Sequence, residues 1–113
     1  MIRKQQEIIP QIKQNLRGGA GEATLQYYLG AEDAAHCSMA ARITLNPGCG
    51  IGEHAHNEDA ELYVILSGKA MANDNGEMVE LCAGDAMWTA NGECHSLHNH
   101  TQDPTVLLAV VVK

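Results

Sequence analysis

GEHAHNEDAELYVILSG, residues 52–68, decides how the rest of the chain is read. His54 and His56 stand two apart, Glu61 follows five after the second histidine, and Gly68 closes the run. The second half of the stretch, ELYVILSG, has strand composition. Alternate residues of a strand point the same way, so His54 shares a face with His56, and Glu61 shares one with Tyr63 and Ile65. If that face lines a barrel, imidazole and carboxylate ends converge in a concave, partly dry space. An unpaired carboxylate there is costly, which calls for a cation or a dense hydrogen-bond network.

Outward from this stretch, the chain reads as short strands and turns. CSMAARITL (37–45) ends at the turn signal NPG. KAMAN (69–73) and EMVELC (77–82) flank DNG, a hairpin signal. DAMWTA (85–90) stops at NG, and HSLHN (95–99) and TVLLAVVV (105–112) complete the series. About eight short β segments at close spacing, with hardly any helix, describe an all-β domain, a small barrel or sandwich. The first 36 residues read differently. Ile8, Ile9, Ile12 and Leu16 are spaced weakly like a helix, but Pro10 interrupts them, so an extended arm is equally compatible. GGAG (18–21) is a breaker, TLQYYL (24–29) has strand composition, and GAEDAAH (30–36) has room for one helical turn. The division expected is an N-terminal arm at 1–36 and a barrel at 37–113.

Composition narrows the partners. At 113 residues, the chain is one domain able to bury roughly two-thirds of its unfolded surface. A net charge of −7 argues against nucleic acid and against anionic membrane surfaces. A small anionic ligand stays open, because a bound divalent ion reverses the local sign. Cys37, Cys49, Cys82 and Cys94 form no CxxC pair. No apolar run approaches the length of a membrane span, and the N-terminus has no signal-peptide core. A cytoplasmic protein with reduced thiols is the expectation.

A second polar cluster, GECHSLHN (92–99), places His95 on another strand with Leu97 and Asn99 on its face. Three imidazoles and one carboxylate form a mixed nitrogen and oxygen donor set suited to first-row transition metals. Without thiolate, such a set admits one divalent Mn, Fe, Co, Ni or Zn ion per chain.

These residues resemble the cupin superfamily. Gly48, His54, His56, Glu61 and Gly68 match its first motif, G(X)5HXH(X)4E(X)6G, without a gap. Gly84, Gly92, His95 and Asn99 match its second, G(X)5PXG(X)2H(X)3N, with Ala90 in place of the proline. The two motifs and their spacer cover residues 48–99. The resemblance implies an antiparallel double-stranded β-helix, or jelly-roll barrel. It also implies that His54, His56, Glu61 and His95 are the ligands of an internal metal ion.

The remaining polar and aromatic residues carry rival readings. Tyr63, two after Glu61 on the inward face, is the one catalytic candidate beyond the ligands; a tyrosine satisfied in the core is the other reading. Trp88 is expected in the core or barrel wall, with substrate stacking as the alternative. Arg42 faces a substrate anion if inward, but alternation gives the apolar Met39, Ala41, Ile43 and Leu45 the opposite face. Glu58 and Asp59 read as a solvated loop at the barrel mouth, His36, His98 and His100 as surface residues, and Cys94 as a small buried residue. Asn99 is expected to support a turn or the ligands. The terminal TVLLAVVV is apolar on both faces, which predicts a strand buried on both sides. That reading favours a homodimer in which the arm adds a strand to the partner's sheet.

Function is expected to be metal-dependent chemistry on a small polar metabolite, a sugar derivative or a hydroxy or keto carboxylate. The resemblance to small single-domain cupins implies Lewis-acid isomerase, lyase or decarboxylase work, or dioxygenase work. The alternative is a protein that binds or senses such a molecule without transforming it.

Overall fold

The alternation of apolar residues builds two antiparallel sheets over one core. The computed structural model describes all 113 residues. One sheet has six strands in the order β1 (Gln11–Gln14), β2 (Glu22–Leu29), β3 (Cys37–Leu45), β10 (Thr105–Val112), β5 (Ala60–Ser67) and β8 (Ala86–Thr89). The other has four, in the order β4 (Gly50–Ala55), β9 (Cys94–His98), β6 (Lys69–Asp74) and β7 (Glu77–Cys82). Two short 3-10 turns, Gln5–Glu7 and Leu16–Gly18, are the helical elements, and no helix is long and apolar enough to cross a membrane. The result is the double-sheet jelly-roll architecture.

Register explains where the interior opens. Tyr27, Ala41, Ala109 and Tyr63 face one another across four strands. The next row places Leu25, Ile43, Leu107 and Ile65 together. On the other side of the tyrosine row lie Met39, Val111, Glu61 and Thr89. The larger side chains close one end of the barrel. The two small alanines leave room beside the tyrosines, and the row containing Glu61 borders that space. Turn chemistry fixes the frame: Asn75 (φ 49°) and Gly76 (φ 100°) take the left-handed conformations that a two-residue hairpin needs.

Two sequence expectations change here, and one open choice is decided. Segment 30–36 forms turns rather than a helical turn. After Pro10 the chain is extended, forming strand β1, which pairs with β2. Trp88 points outward and is 54% exposed, because its neighbour Thr89 takes the inward position opposite Glu61. A side chain on an edge strand has one partner strand to set its face, and DAMWTA alone does not reveal which parity that partner selects.

The arm is stitched to the body. β2 pairs with β3 of the same chain, with Ala23 opposite Leu45 and Gln26 opposite Arg42. Buried Gln26 donates to the carbonyls of Gln5 (3.0 Å) and Ile8 (3.1 Å), which ties down the extreme N-terminus. Arg42 and its outward neighbours leave the interior to Ala41, Ile43 and Leu45, so Arg42 does not reach the cavity. The last strand buries Leu107, Ala109 and Val111, while Val106, Leu108, Val110 and Val112 are only half-buried on the outer face.

Candidate metal centre

β4 and β9 present two of the histidines side by side: His54 stands opposite His95 in the ladder. His56 lies one residue beyond β4, where its N–H donates to the Glu93 carbonyl (3.0 Å) and its carbonyl accepts from Gly92 (2.8 Å). Glu61 arrives from β5 in the opposite sheet. The ligand atoms of His54, His56, Glu61 and His95 all lie within 4.8 Å of one another. His56, Glu61 and His95 are buried; His54 is half-buried.

The hydrogen bonds around the rings decide what this cluster accepts. His54 Nδ1 donates to the Gly52 carbonyl at 2.8 Å, and His56 Nδ1 donates to Asp59 Oδ1 at 2.7 Å. Carbonyl and carboxylate only accept, so Nδ1 carries the proton in both rings and Nε2 presents a lone pair. His95 Nδ1 meets the Thr89 hydroxyl at 2.8 Å, and with Thr89 accepting, its Nε2 is bare as well. Bare imidazole nitrogens and a carboxylate, all acceptors, thus point at one another inside the protein.

The spacings match a shared cation. His95 Nε2 lies 3.0 Å from His54 Nε2 and 3.1 Å from His56 Nε2. Glu61 Oε1 lies 3.1 Å from the Nε2 atoms of His56 and His95 and 3.7 Å from that of His54. Metal bonds of about 2.1 Å at right angles put neighbouring donors about 3 Å apart. The four residues therefore fit a transition-metal ion by chemistry and by spacing.

Electrostatics agree. Burial opposes ionisation of Glu61, yet its contacts with the imidazoles of His54, His95 and His56 outweigh it and hold the carboxyl at about 2. Burial pushes the His95 imidazole below its usual value, with Glu61 partly opposing. An anionic carboxylate beside an imidazole that resists protonation leaves a cluster short of positive charge. Tyr63 is 2% exposed and stacks on His95, with ring centroids 4.6 Å apart at 16°. Burial and the Glu61 charge beside it raise its phenol well above the ordinary value. A cavity of about 300 Å³ opens over the cluster, walled by Leu25, Tyr27, Met39, Ile43, Ile51 and Val111, among others.

A family model for the cupin domain matches residues 41–111. The chain belongs to the cupin family. Among cupins, an "oxalate-binding protein" of Thermotoga maritima is 38% identical over 114 residues, covering 99% of this chain and 93% of that one. The solved structure of a Thermotoga maritima cupin described as a predicted oxalate decarboxylase superposes with a TM-score of 0.96 at 36% identity, over 99% and 98% of the two chains. A cupin 2 conserved barrel domain protein from Salinispora arenicola shares the fold alone, with a TM-score of 0.78 at 20% identity over 100% of this chain and 88% of that one.

Other residues fall into place around this cupin site. Asn99, fully buried, donates to the carbonyls of Leu45 (2.9 Å) and Asp103 (2.8 Å) and accepts from Thr101, so it ties a turn to β3 and stays off the cluster. Ala90 donates its N–H to Glu93 Oε1 at 3.4 Å, a bond that the motif's proline has no hydrogen to make. His36, His98 and His100 are at the surface, with His100 against Glu80. Cys94 is half-buried beside His95. Glu58 is a solvated loop residue, as expected. Asp59 is more than that, because it fixes the ring of His56. Sequence reasoning also missed Thr89 and the Gly52 carbonyl. Their signal was weak: Asp59 is three residues from its histidine, whereas Thr89 meets His95 only through the fold.

Proposed function

We propose that the protein holds one divalent transition-metal ion, Mn, Fe, Co, Ni or Zn, through His54, His56, Glu61 and His95, and uses it to bind a small carboxylate. The observation that carries this reading is the convergence of acceptor atoms about 3 Å apart beneath a small cavity, a donor arrangement that a metal completes. The cavity volume, about 300 Å³, sits at the lower end of ligand pockets, which favours a compact ligand. Oxalate is the first compound to test, given what the Thermotoga maritima relatives are said to bind or act on. When bound, the ion supplies a Lewis acid that polarises a carbonyl or carboxylate. The chain's own groups orient the ligand rings: Gly52 on His54, Asp59 on His56 and Thr89 on His95. The apolar wall excludes water from the ligand.

Elemental analysis of protein purified without chelator is expected to find about one metal per chain, and oxalate is expected to bind only to the loaded form in calorimetry. Metal-free protein that cannot be reloaded with any of these ions, or equal oxalate binding with and without metal, would reject the reading. Turnover is the second reading, favoured by Tyr63. Its ring lies flat on His95 with Glu61 beside the phenol, so a proton-bearing oxygen stands next to the cluster. A loaded protein that consumes oxalate or another hydroxy or keto acid, and a Tyr63→Phe variant that binds it but turns it over at least tenfold more slowly, would make the protein an enzyme with Tyr63 as a catalytic residue.

We also infer a homodimer in which a second copy covers the outer face of β5, β8 and β10. Val110, Leu62 and Trp88 form an outward row across these strands, and Leu66 (44%) and Trp88 (54%) are large apolar side chains left open to water. The 30–36 connection is a hinge through which the arm's edge pairing can be exchanged between two copies without changing its partners in β3. Light scattering is expected to report a dimer, and Trp88→Glu a monomer; a monomeric parent at micromolar concentration would defeat both ideas.

A further inference from the structure

The turn at Leu16–Gly18 reaches from the arm to the rim of the cavity, where both Leu16 and Arg17 line the wall. Arg17 is the one lysine or arginine among the lining residues. It forms no ion pair, whereas Asp59 is engaged by His56 and Glu61 by the histidines. On a chain of net charge −7, a cation without a carboxylate partner at the edge of an internal cavity is unusual.

The backbone holds this arginine in place at some cost. Arg17 has φ 54° and ψ 30°, the left-handed region that disfavours every residue with a Cβ except asparagine and aspartate. The turn is fastened on both sides. Asn15 N–H donates to the Gly21 carbonyl (2.8 Å), Asn15 Nδ2 to the Gly19 carbonyl (3.0 Å), and Gly50 N–H to the Ala20 carbonyl (2.9 Å). Its main chain lies directly against β4: a Cβ at Gly19 would stand 2.5 Å from the Gly50 carbonyl oxygen. The strand that bears His54 therefore also carries the turn that bears Arg17. Strain of this kind persists where the surrounding structure dictates it, and it concentrates at binding sites.

We infer that Arg17 is the anion anchor of the cavity: it holds one carboxylate of a small dicarboxylate or oxo-carboxylate whose other end faces the His54, His56, Glu61 and His95 cluster. This rests on the metal-dependent carboxylate reading and adds the residue that sets its specificity. A guanidinium presents a fork of donors matched to two carboxylate oxygens, which an ammonium does not. A ligand with two acidic ends engages both anchors, and a monocarboxylate engages one. Asp59, the acidic residue of the cavity wall outside the cluster, repels the same ligand, so the anchored end lies toward Arg17 and the arm.

The test uses full-length protein loaded with one metal, its content checked by elemental analysis before each titration. Calorimetry with oxalate and with acetate is compared between the parent, Arg17→Lys, Arg17→Met and Arg17→Gly. Glycine suits the left-handed backbone at this position, so Arg17→Gly keeps the turn even if Arg17→Met distorts it. The expected result is an oxalate Kd raised at least tenfold in Arg17→Met and Arg17→Gly, a smaller rise in Arg17→Lys, an acetate Kd changed less than threefold, and unaltered metal content. Parent-like oxalate affinity in Arg17→Gly would overturn the Arg17 assignment while leaving the metal-carboxylate reading standing. Loss of acetate and oxalate binding by equal factors would also overturn it, because the arginine would then act on general cavity structure. A metal-loaded parent that binds neither compound would remove the underlying reading and the anchor with it.

Discussion

Glu61→Gln is expected to leave a folded barrel that no longer retains metal. The substitution keeps the side-chain volume and the place of residue 61 opposite Val111 and Thr89, so packing is preserved. What disappears is the negative charge at the centre of three imidazoles, 3.1 Å from His56 and His95. Removing a group that only orients a metal ligand costs about 10- to 100-fold in affinity; removing the carboxylate itself is expected to cost at least about 100-fold, or roughly 2.8 kcal/mol. The same quantity is readable as stability. Metal at about 100 times its Kd stabilises a native state by about 2.7 kcal/mol, so adding metal should raise the Tm of the parent and leave that of Glu61→Gln nearly unmoved. His56→Ala should behave alike and should also free Asp59. Parent-like metal content in both variants would reject the ligand assignment.

The pH dependence of metal retention has a definite sign. The Glu61 carboxyl is held at about 2, so it stays ionised and competent to bind metal throughout the mildly acidic range. Imidazoles bind metal only when unprotonated at the ligating nitrogen. Metal release on mild acidification is therefore expected to come from proton competition at the imidazoles and not from loss of the Glu61 charge. The low Glu61 value, below its ordinary 4.5, contributes metal-free stability that is present above the unfolded carboxylate's pKa and is lost only as pH falls toward about 2.

The four clustered side chains were legible because two regularities act on them at once. Period-two alternation puts His54 with His56 and Glu61 with Tyr63, and the fixed offsets of the two motifs tie His95 to the same constellation. The same alternation assigned Leu97 and Asn99 to the interior, as the structure has them. Legibility fails where a contact depends on which strands become neighbours. Thr89 orients His95 because β8 pairs with β5 while β9 pairs with β4, and no local pattern encodes that pairing. Trp88 was misplaced for the same reason, since its face follows from the partner of Thr89. Asp59 sits in a loop without a period. Arg17 was hidden deepest: its place depends on a left-handed turn, and the run NLRGG reads only as a breaker. What sequence periodicity misses here is concentrated around the cavity, where local rules yield to the site.

Gly52→Ala is expected to destabilise the fold and to disturb either the cavity rim or the histidine cluster without touching any side chain in them. Gly52 lies in β4 where the register with β9 shifts between Ile51 and His54, an irregularity of the kind that re-aims neighbouring side chains. Its carbonyl accepts from His54 Nδ1 at 2.8 Å. A methyl group there would collide with the Arg17 carbonyl oxygen and lie 2.7 Å from the Gly19 nitrogen. Both are main-chain atoms, so no rotamer change relieves the contact. Either the turn lifts from the strand or β4 tilts inward, and the two outcomes differ in what they spoil. A lifted turn carries Arg17 and Leu16 off the cavity rim and leaves the His54 carbonyl contact intact. A tilted strand displaces the carbonyl and the ring together. Overpacking of this kind costs about 1–3 kcal/mol, which for a chain of this size lowers Tm by roughly 5–15 °C. Denaturation should register the loss in metal-free protein, and metal titration should then separate the two: affinity preserved if the turn moved, and reduced about 10- to 100-fold if the His54 orientation was lost. A variant as stable as its parent would mean that the turn rides on β4 loosely, and the backbone contact between Gly52 and Arg17 would no longer explain how the arm is held over the His54, His56, Glu61 and His95 cluster.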